Sequence, residues 1–243
     1  MPVTQEPVSP SVPINLPPPT TGENAQPSSE QPAQVIPPHD VHGYDLKGFY
    51  LVMPMISVKN MLKSKGFTIK TIREDIPRFY TTDYEYKCRD EGVIIPEKVR
   101  ACILNKARKE NQAYVAEIDA EHGNERFEFL FTSNNVYNEL YKITYYNYGD
   151  TSLNFTRVNT MKKLNRQKDF WNAVMDTYGK PDDAQKMIWG DPTKAYMTAK
   201  MFGTAYHGMI MFVDQQMYNR DYFFSEDAEA ERPSKYHFNF SEG

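Results

Sequence analysis

The chain has 243 residues, with 28 Lys and Arg against 32 Asp and Glu and a formal charge of −4. That length holds one large domain, or a mid-sized domain with tails. The near balance of charge leaves no general electrostatic footprint for nucleic acid, and no run approaches the ~20 apolar residues that span a bilayer.

Residues 1–38 carry eleven of the 17 prolines and no apolar period. Such a segment cannot bury enough surface to offset its ordering entropy. Residues 1–42 are therefore expected to be a disordered, extended linker. Five acidic residues (Glu6, Glu23, Glu30, Asp40 and Asp45) and no Lys or Arg precede Lys47. LPPP at 16–19 lacks the flanking basic residue of an SH3-type ligand, so a tether is the expectation. The start shows no basic region and no apolar segment of a signal peptide. It fits a cytoplasmic start or a mature exported chain with an added Met.

The body is expected over 43–224. GFYLVM (48–53) reads as a strand. Ser57 is placed as N-cap of a helix over 57–65, with Val58, Met61 and Leu62 on one face and Gly66 as its stop. FTIKTI (67–72) reads as the next strand, and YEYKC (84–88) as a short one. Pro96 at the first helical position opens a helix whose stripe is Val99, Cys102, Ile103 and Ala107. The alternation of YVAEIDAE and RFEFLF around His122-Gly123-Asn124 predicts a hairpin. YKITYYNYG (141–149) is a third strand, and MKKLNRQK (161–168) reads as linker.

KDFWNAVMDTY (168–178) sets Phe170, Trp171, Val174, Met175 and Tyr178 on a wide helical face. Gly179 and Pro181 stop it. KMIWG is a strand, and AYMTAKMF with AYHGMIMFV form a hairpin around Gly203-Thr204. Residues 225–243 are expected to be a flexible acidic and aromatic tail. The fold class expected is α+β, with about three helices packed on one face of an antiparallel sheet.

Candidate chemistry is sparse. Asp182, Asp183 and Asp191 lie close together in YGKPDDAQKMIWGDP, but the helix stop, return loop and turn explain the stretch without a metal. His39-Asp40-x-His42 lacks a third strong metal ligand. His207 reads as structural, and Glu121, His122 and Glu125 as a solvated turn. Ser57 and Ser152 lack a nucleophile elbow, and no P-loop or G-x-G-x-x-G occurs. No catalytic, metal or cofactor residues are assigned, and no cofactor is expected. The basic cluster Arg157, Lys162, Lys163, Arg166 and Lys168 reads as a solvated approach to a helix rather than a phosphate site.

Cys88 and Cys102, spaced C-x13-C, are either buried thiols or a disulfide closing a short loop. A disulfide would tie the YEYKC segment to the following helix. Met197, Met201, Met209 and Met211 read as adaptable core, or as a permissive binding surface if exposed. Tyr145, Tyr146, Tyr148, Met209 and Met211 are the candidate partner-binding residues.

The order Gly48…Met53-Pro54, a helix ending in KSKGF, then FW…V…YGKP and WG resembles the pattern of small exported bacterial α+β domains. These are similar in plan to the β-lactamase inhibitory protein and to outer-membrane lipoproteins that assist barrel assembly. The resemblance covers 43–224. It departs at Val52, where such domains carry Gly before the Met. It implies export, a helix-on-sheet plan and function by protein binding, and it brings no catalytic residues. The expectation is thus a non-enzymatic protein-binding module of the bacterial envelope, periplasmic or envelope-associated. It would be a subunit or accessory of an assembly such as a secretion-system core, with other proteins as its partners. The alternatives are a secreted enzyme inhibitor or effector, and a hydrolase whose site is assembled from distant residues.

Overall fold

The computed structural model describes residues 38–148, 160–202 and 207–230. The Pro-rich segment up to 37 and the residues beyond 230 lie outside them, as do Ser152, Arg157 and the turn expected at Gly203-Thr204.

Among the described residues seven strands form one antiparallel sheet: β1 (Thr68–Asp75), β2 (Tyr114–His122), β3 (Glu125–Phe131), β4 (Leu140–Tyr148), β5 (Ile188–Gly190), β6 (Ala195–Phe202) and β7 (His207–Asp214). Their order is β1-β2-β3-β4-β7-β6-β5. The sheet is therefore two ribbons of consecutive strands, joined where β4 pairs with β7. Each ribbon is entered from a helix: α1 (Met55–Ser64) leads to β1, and α4 (Thr160–Tyr178) leads to β5. The remaining helices are α2 (Arg78–Asp90), α3 (Pro96–Lys109) and α5 (Gln215–Ala230). Among the described residues no helix is long and apolar enough to cross a membrane.

The strand period of two puts alternate residues on one face. Ile118 and Ala120 of β2, Phe127 and Phe129 of β3, Ile143 and Tyr145 of β4, Ile210 and Phe212 of β7, and Met197 and Ala199 of β6 share the core face by their cross-strand pairing. Val58 and Leu62 of α1 close over it, with Val174 and Tyr178 of α4 and partly buried Phe170, Trp171 and Met175. Phe49 lies on Phe127 and Phe129 at ring-centroid distances of 5.0 and 4.9 Å. Aromatic pairs at such spacing add to the value of their burial.

A second, smaller cluster joins α2 to α3. Its buried members are Ile76, Tyr84, Cys88, Val99, Ile103 and Ala107. Cys88 and Cys102 form a disulfide there, and Cys102 packs against this cluster instead of the main core.

Several local expectations change. Residues 48–53 form no strand. Phe49, Leu51 and Met53 alternate inward, but Lys47, Gly48 and Val52 take positive φ and the segment crosses the core as a turn. Helix α1 begins two residues before Ser57, with Pro54 as its N-cap. YEYKC is helical, because Tyr84 and Cys88, four apart, bury one face of α2. MKKLNRQK is part of α4. Helix α5 runs through 225 to Ala230, past the expected boundary of the tail. Residues 38–42 belong to the body, since Val41 is 1% exposed.

Candidate functional site

The stretch YGKPDDAQKMIWGDP is a structural joint. Gly179 ends α4 at φ +75°, and its carbonyl accepts from Trp189 Nε1 at 3.0 Å. Asp182 accepts from the Gly190 N–H and from the His39 N–H and ring Nδ1. Burial works to raise its carboxyl, but these bonds outweigh that and hold it below the ordinary range. Asp183 accepts from the N–H groups of Gln185 and Lys186, and Asp191 from Thr193. Each carboxylate thus holds a turn or, through Asp182, the segment at His39. Gly190 (φ +86°) admits no side chain, since a Cβ would lie 2.6 Å from the Ala195 carbonyl oxygen and from Val41 Cγ2. His42 bridges Asp40 and the buried Asp214, so the His39-Asp40-x-His42 sequence fastens residues 38–43 to the second ribbon. Among the described residues no three His, Cys, Asp or Glu converge to hold a metal ion.

The expected Tyr and Met surface divides between the two faces of the sheet. Tyr146 pairs with Met209, Thr144 with Met211 and Tyr148 with His207, so Tyr146, Tyr148, Met209 and Met211 share the face away from α1 and α4. Met209 is buried there and the other three are half-buried. Tyr145 faces the opposite way into the core and donates its hydroxyl to Glu125. His207 packs edge-on against Tyr148 at 4.8 Å. His122 is more than a solvated turn residue, since its ring Nδ1 bonds the Gly66 carbonyl oxygen.

Two arrangements were not foreseen. The first is a surface formed by the loop before α1, the first turn of α1 and the loop before β4. Tyr137, Ile56, Tyr50 and Val52 are 78, 60, 45 and 36% exposed. Backbone bonds hold the two loops together: the Val52 N–H donates to Leu140 O at 2.8 Å, Leu140 N–H to Met53 O at 3.0 Å, and Met55 N–H to Asn138 O at 3.3 Å. Asn138 also ties its side-chain amide to the carbonyls of Thr132 and Val115. Val52, Tyr137 and Asn138 have φ of 70°, 68° and 53°. A left-handed β-branched residue is an outlier, and such positions cost about 1–3 kcal/mol each.

The second arrangement is a cleft of about 540 Å³ between α4 and the sheet. Phe170, Ala173 and Val174 form one wall, and Met201, Gly208 and Ile210 the other. A Cβ on Gly208 would lie 2.4 Å from the Phe170 ring, so that glycine is what lets the helix seat so close. Lys47, Arg166, Asp45, Asn147 and Tyr145 bring polar groups to its lining. Lys47 binds Glu125 and lies over the Tyr145 ring at 5.5 Å. Burial acts to raise Glu125, but the bonds from Lys47 and Tyr145 prevail and lower it. Burial, reinforced by Glu125, pushes the Tyr145 hydroxyl up. The Asp45 carbonyl accepts from Tyr178 and its carboxylate from the Gly48 N–H, which fixes the Lys47 loop.

Compared with known proteins, the chain matches no family model, no curated protein and no solved structure.

Proposed function

We propose that the chain is a non-enzymatic protein-binding module of the bacterial cell envelope. It would serve as a subunit or accessory of a larger envelope assembly such as a secretion-system core. The observation that carries this reading is the loop surface of Tyr50, Val52, Ile56 and Tyr137. Exposed apolar groups held on a strained and cross-braced backbone are pre-organised anchors, and a rigid anchor loses little entropy on docking. The Cys88–Cys102 disulfide supports an oxidising compartment. The Pro-rich N-terminal sequence supports a spacer between an envelope attachment and the domain. Asp182, Asp183, Asp191, His39 and His42 serve as structural fasteners, which favours binding over catalysis.

The test places a photo-crosslinking residue at Tyr137 or at Ile56 in the full chain, in its native cells. Exposed Glu97 on α3 is the control. A discrete adduct of the same partner from 137 and 56, and none from 97, is expected. No adduct from either loop position would end the reading. The same projecting Tyr137 also favours a second reading, a secreted inhibitor. In that case the captured partner is an enzyme that loses activity on adding the pure chain.

A further inference from the structure

The loop surface has a charged margin along α1. Ile56 stands in the first turn, and Lys59, Asn60 and Lys63 follow it at spacings of three, four and seven. Residues so spaced lie on one stripe of a helix. Val58 and Leu62 take the other side of α1 into the core, so the stripe looks outward. We infer that the partner of the loop surface is an acidic protein, with carboxylates beside the pocket that receives Ile56. This rests on the reading of that surface as a docking site.

The charges around the stripe do not cancel. Helix α1 contains no Asp or Glu. Among the described residues no ion pair involves Lys59 or Lys63, whereas Lys47 before the helix holds Glu125, and Lys70 after it lies 3.4 Å from Glu121. Asp45 receives the Gly48 N–H, and Asp221 receives the N–H and hydroxyl of Ser133. Glu139 bridges to Pro54, at the start of α1. Helical rise puts Pro54 about 8 and 14 Å along the axis from Lys59 and Lys63. Glu139 thus suits the positive end of the helix and leaves both lysines without a counter-charge. Lys65 belongs to the other flank, where its Nζ would lie 3.7 Å from a Cβ on Gly48.

An anionic lipid surface fits less well. Recruitment to lipid takes a cluster of about four to eight Lys or Arg, and an interfacial helix must offer its apolar face. The apolar face of α1 is already spent on the core, and its outward stripe offers only Ile56. On a protein partner the division of labour is simple. Ile56 and Tyr137 supply contact, while the two lysines steer the approach and fix its direction. The partner's carboxylates should lie about 5 and 10 Å from the Ile56 pocket, on the side toward the C-terminus of α1.

The experiment is photo-crosslinking in native cells from position 137 of the full chain, with charge variants on α1. Lys59→Glu with Lys63→Glu should cut the yield of the protein adduct at least about fivefold. Lys59→Gln with Lys63→Gln should give an intermediate yield, and the two Arg replacements should keep it. Lys98→Glu with Lys109→Glu makes the same change of net charge on exposed positions of α3 and should leave the yield unaltered. Both lysines of α1 lie outside the core, so melting curves of the purified variants should superimpose; if the Glu pair melts early, the Gln pair decides. A probe at 59 should join the same partner at a segment bearing Asp or Glu. Undiminished adduct from the Glu and Gln pairs, or an equal fall in the α3 control, would overturn the acidic partner while the docking surface stands. A lipid adduct in place of a protein would overturn it in favour of a membrane. No adduct from the parent chain would end both readings.

Discussion

Replacing both Cys88 and Cys102 by Ala should loosen α2 and α3 before it loosens the sheet. The disulfide closes a loop across a sequence separation of 14. Loop-closure entropy puts its contribution at about 3 kcal/mol. The rest of that region has little to replace it. Its cluster contains six buried residues, and the ion pairs Arg108–Glu74 and Lys106–Glu91 are solvent-exposed at their rims. Such pairs contribute about 0–1 kcal/mol each. Cys88 is wholly buried, and Ala keeps most of its volume without leaving a polar group. The assay is amide hydrogen exchange on the native full chain and on the double variant. Amides of α2 and α3 should exchange about a hundredfold faster, the kinetic image of ~3 kcal/mol. Amides of β3, β4 and β7 should change far less, because their core cluster does not include the disulfide. Equal loss of protection in both regions would refute the separation of the two clusters. A loss below about threefold in α2 and α3 would refute the magnitude.

Val52→Gly should stabilise the chain by about 1 kcal/mol, the relief of a left-handed Val less the added freedom of glycine when unfolded; a lower melting temperature would show that the Val52 backbone is not strained. The same variant should weaken adduct formation at the loop surface. Gly208→Ala should destabilise by about 1–3 kcal/mol through overpacking on Phe170, read as a fall in urea midpoint, and Phe170→Leu in the same chain should recover part of it. The His42 clasp gives a pH dependence of definite sign. Burial alone would lower its pKa, but the bonds to Asp214 and Asp40 raise it above 6.5. Its contribution is complete below the unfolded pKa and fades as pH rises through the folded value. It is small, because the ring is 41% exposed and solvent screens the pair. Asp182, lowered by its bonds, contributes above the unfolded carboxylate pKa and fades as pH falls through its folded value. Urea midpoints between pH 5.5 and 9 should therefore decline on the alkaline side, and His42→Ala should flatten that limb; an unchanged slope would refute the clasp.

The elements legible in the sequence were those with a local period. The β2–β3 hairpin alternates cleanly, and the face of α4 from Phe170 to Tyr178 recurs at helical spacing. Helix α2 was hidden because its tyrosines favour strands, although Tyr80, Tyr84 and Cys88 follow one another at intervals of four. MKKLNRQK was hidden by polarity, yet it is built largely of good helix formers. Helix α5 was announced only by Asp214, whose carboxylate accepts from the Met217 N–H. Of the four tyrosines of β4, Tyr145, Tyr146 and Tyr148 read as one surface in the sequence, while the period of two sends Tyr145 one way and Tyr146 and Tyr148 the other. The loop surface had no local signal at all. The conformations of Val52 and Tyr137 depend on pairing between residues near 52 and near 140.

The fastening of residues 38–43 to the second ribbon sets an order on the making of this protein. His39 meets Asp182 across 143 residues, and His42 meets Asp214 across 172. Contacts so distant in sequence close late. A chain emerging N-terminus first, from a ribosome or through a translocation channel, presents residues 38–43 long before their partners exist. Until Asp214 has emerged, Val41 and Phe49 have no finished core to enter. The fastening of residues 38–43 therefore closes only once β7 has emerged, and a truncated chain that stops short of β7 lacks the His42–Asp214 clasp.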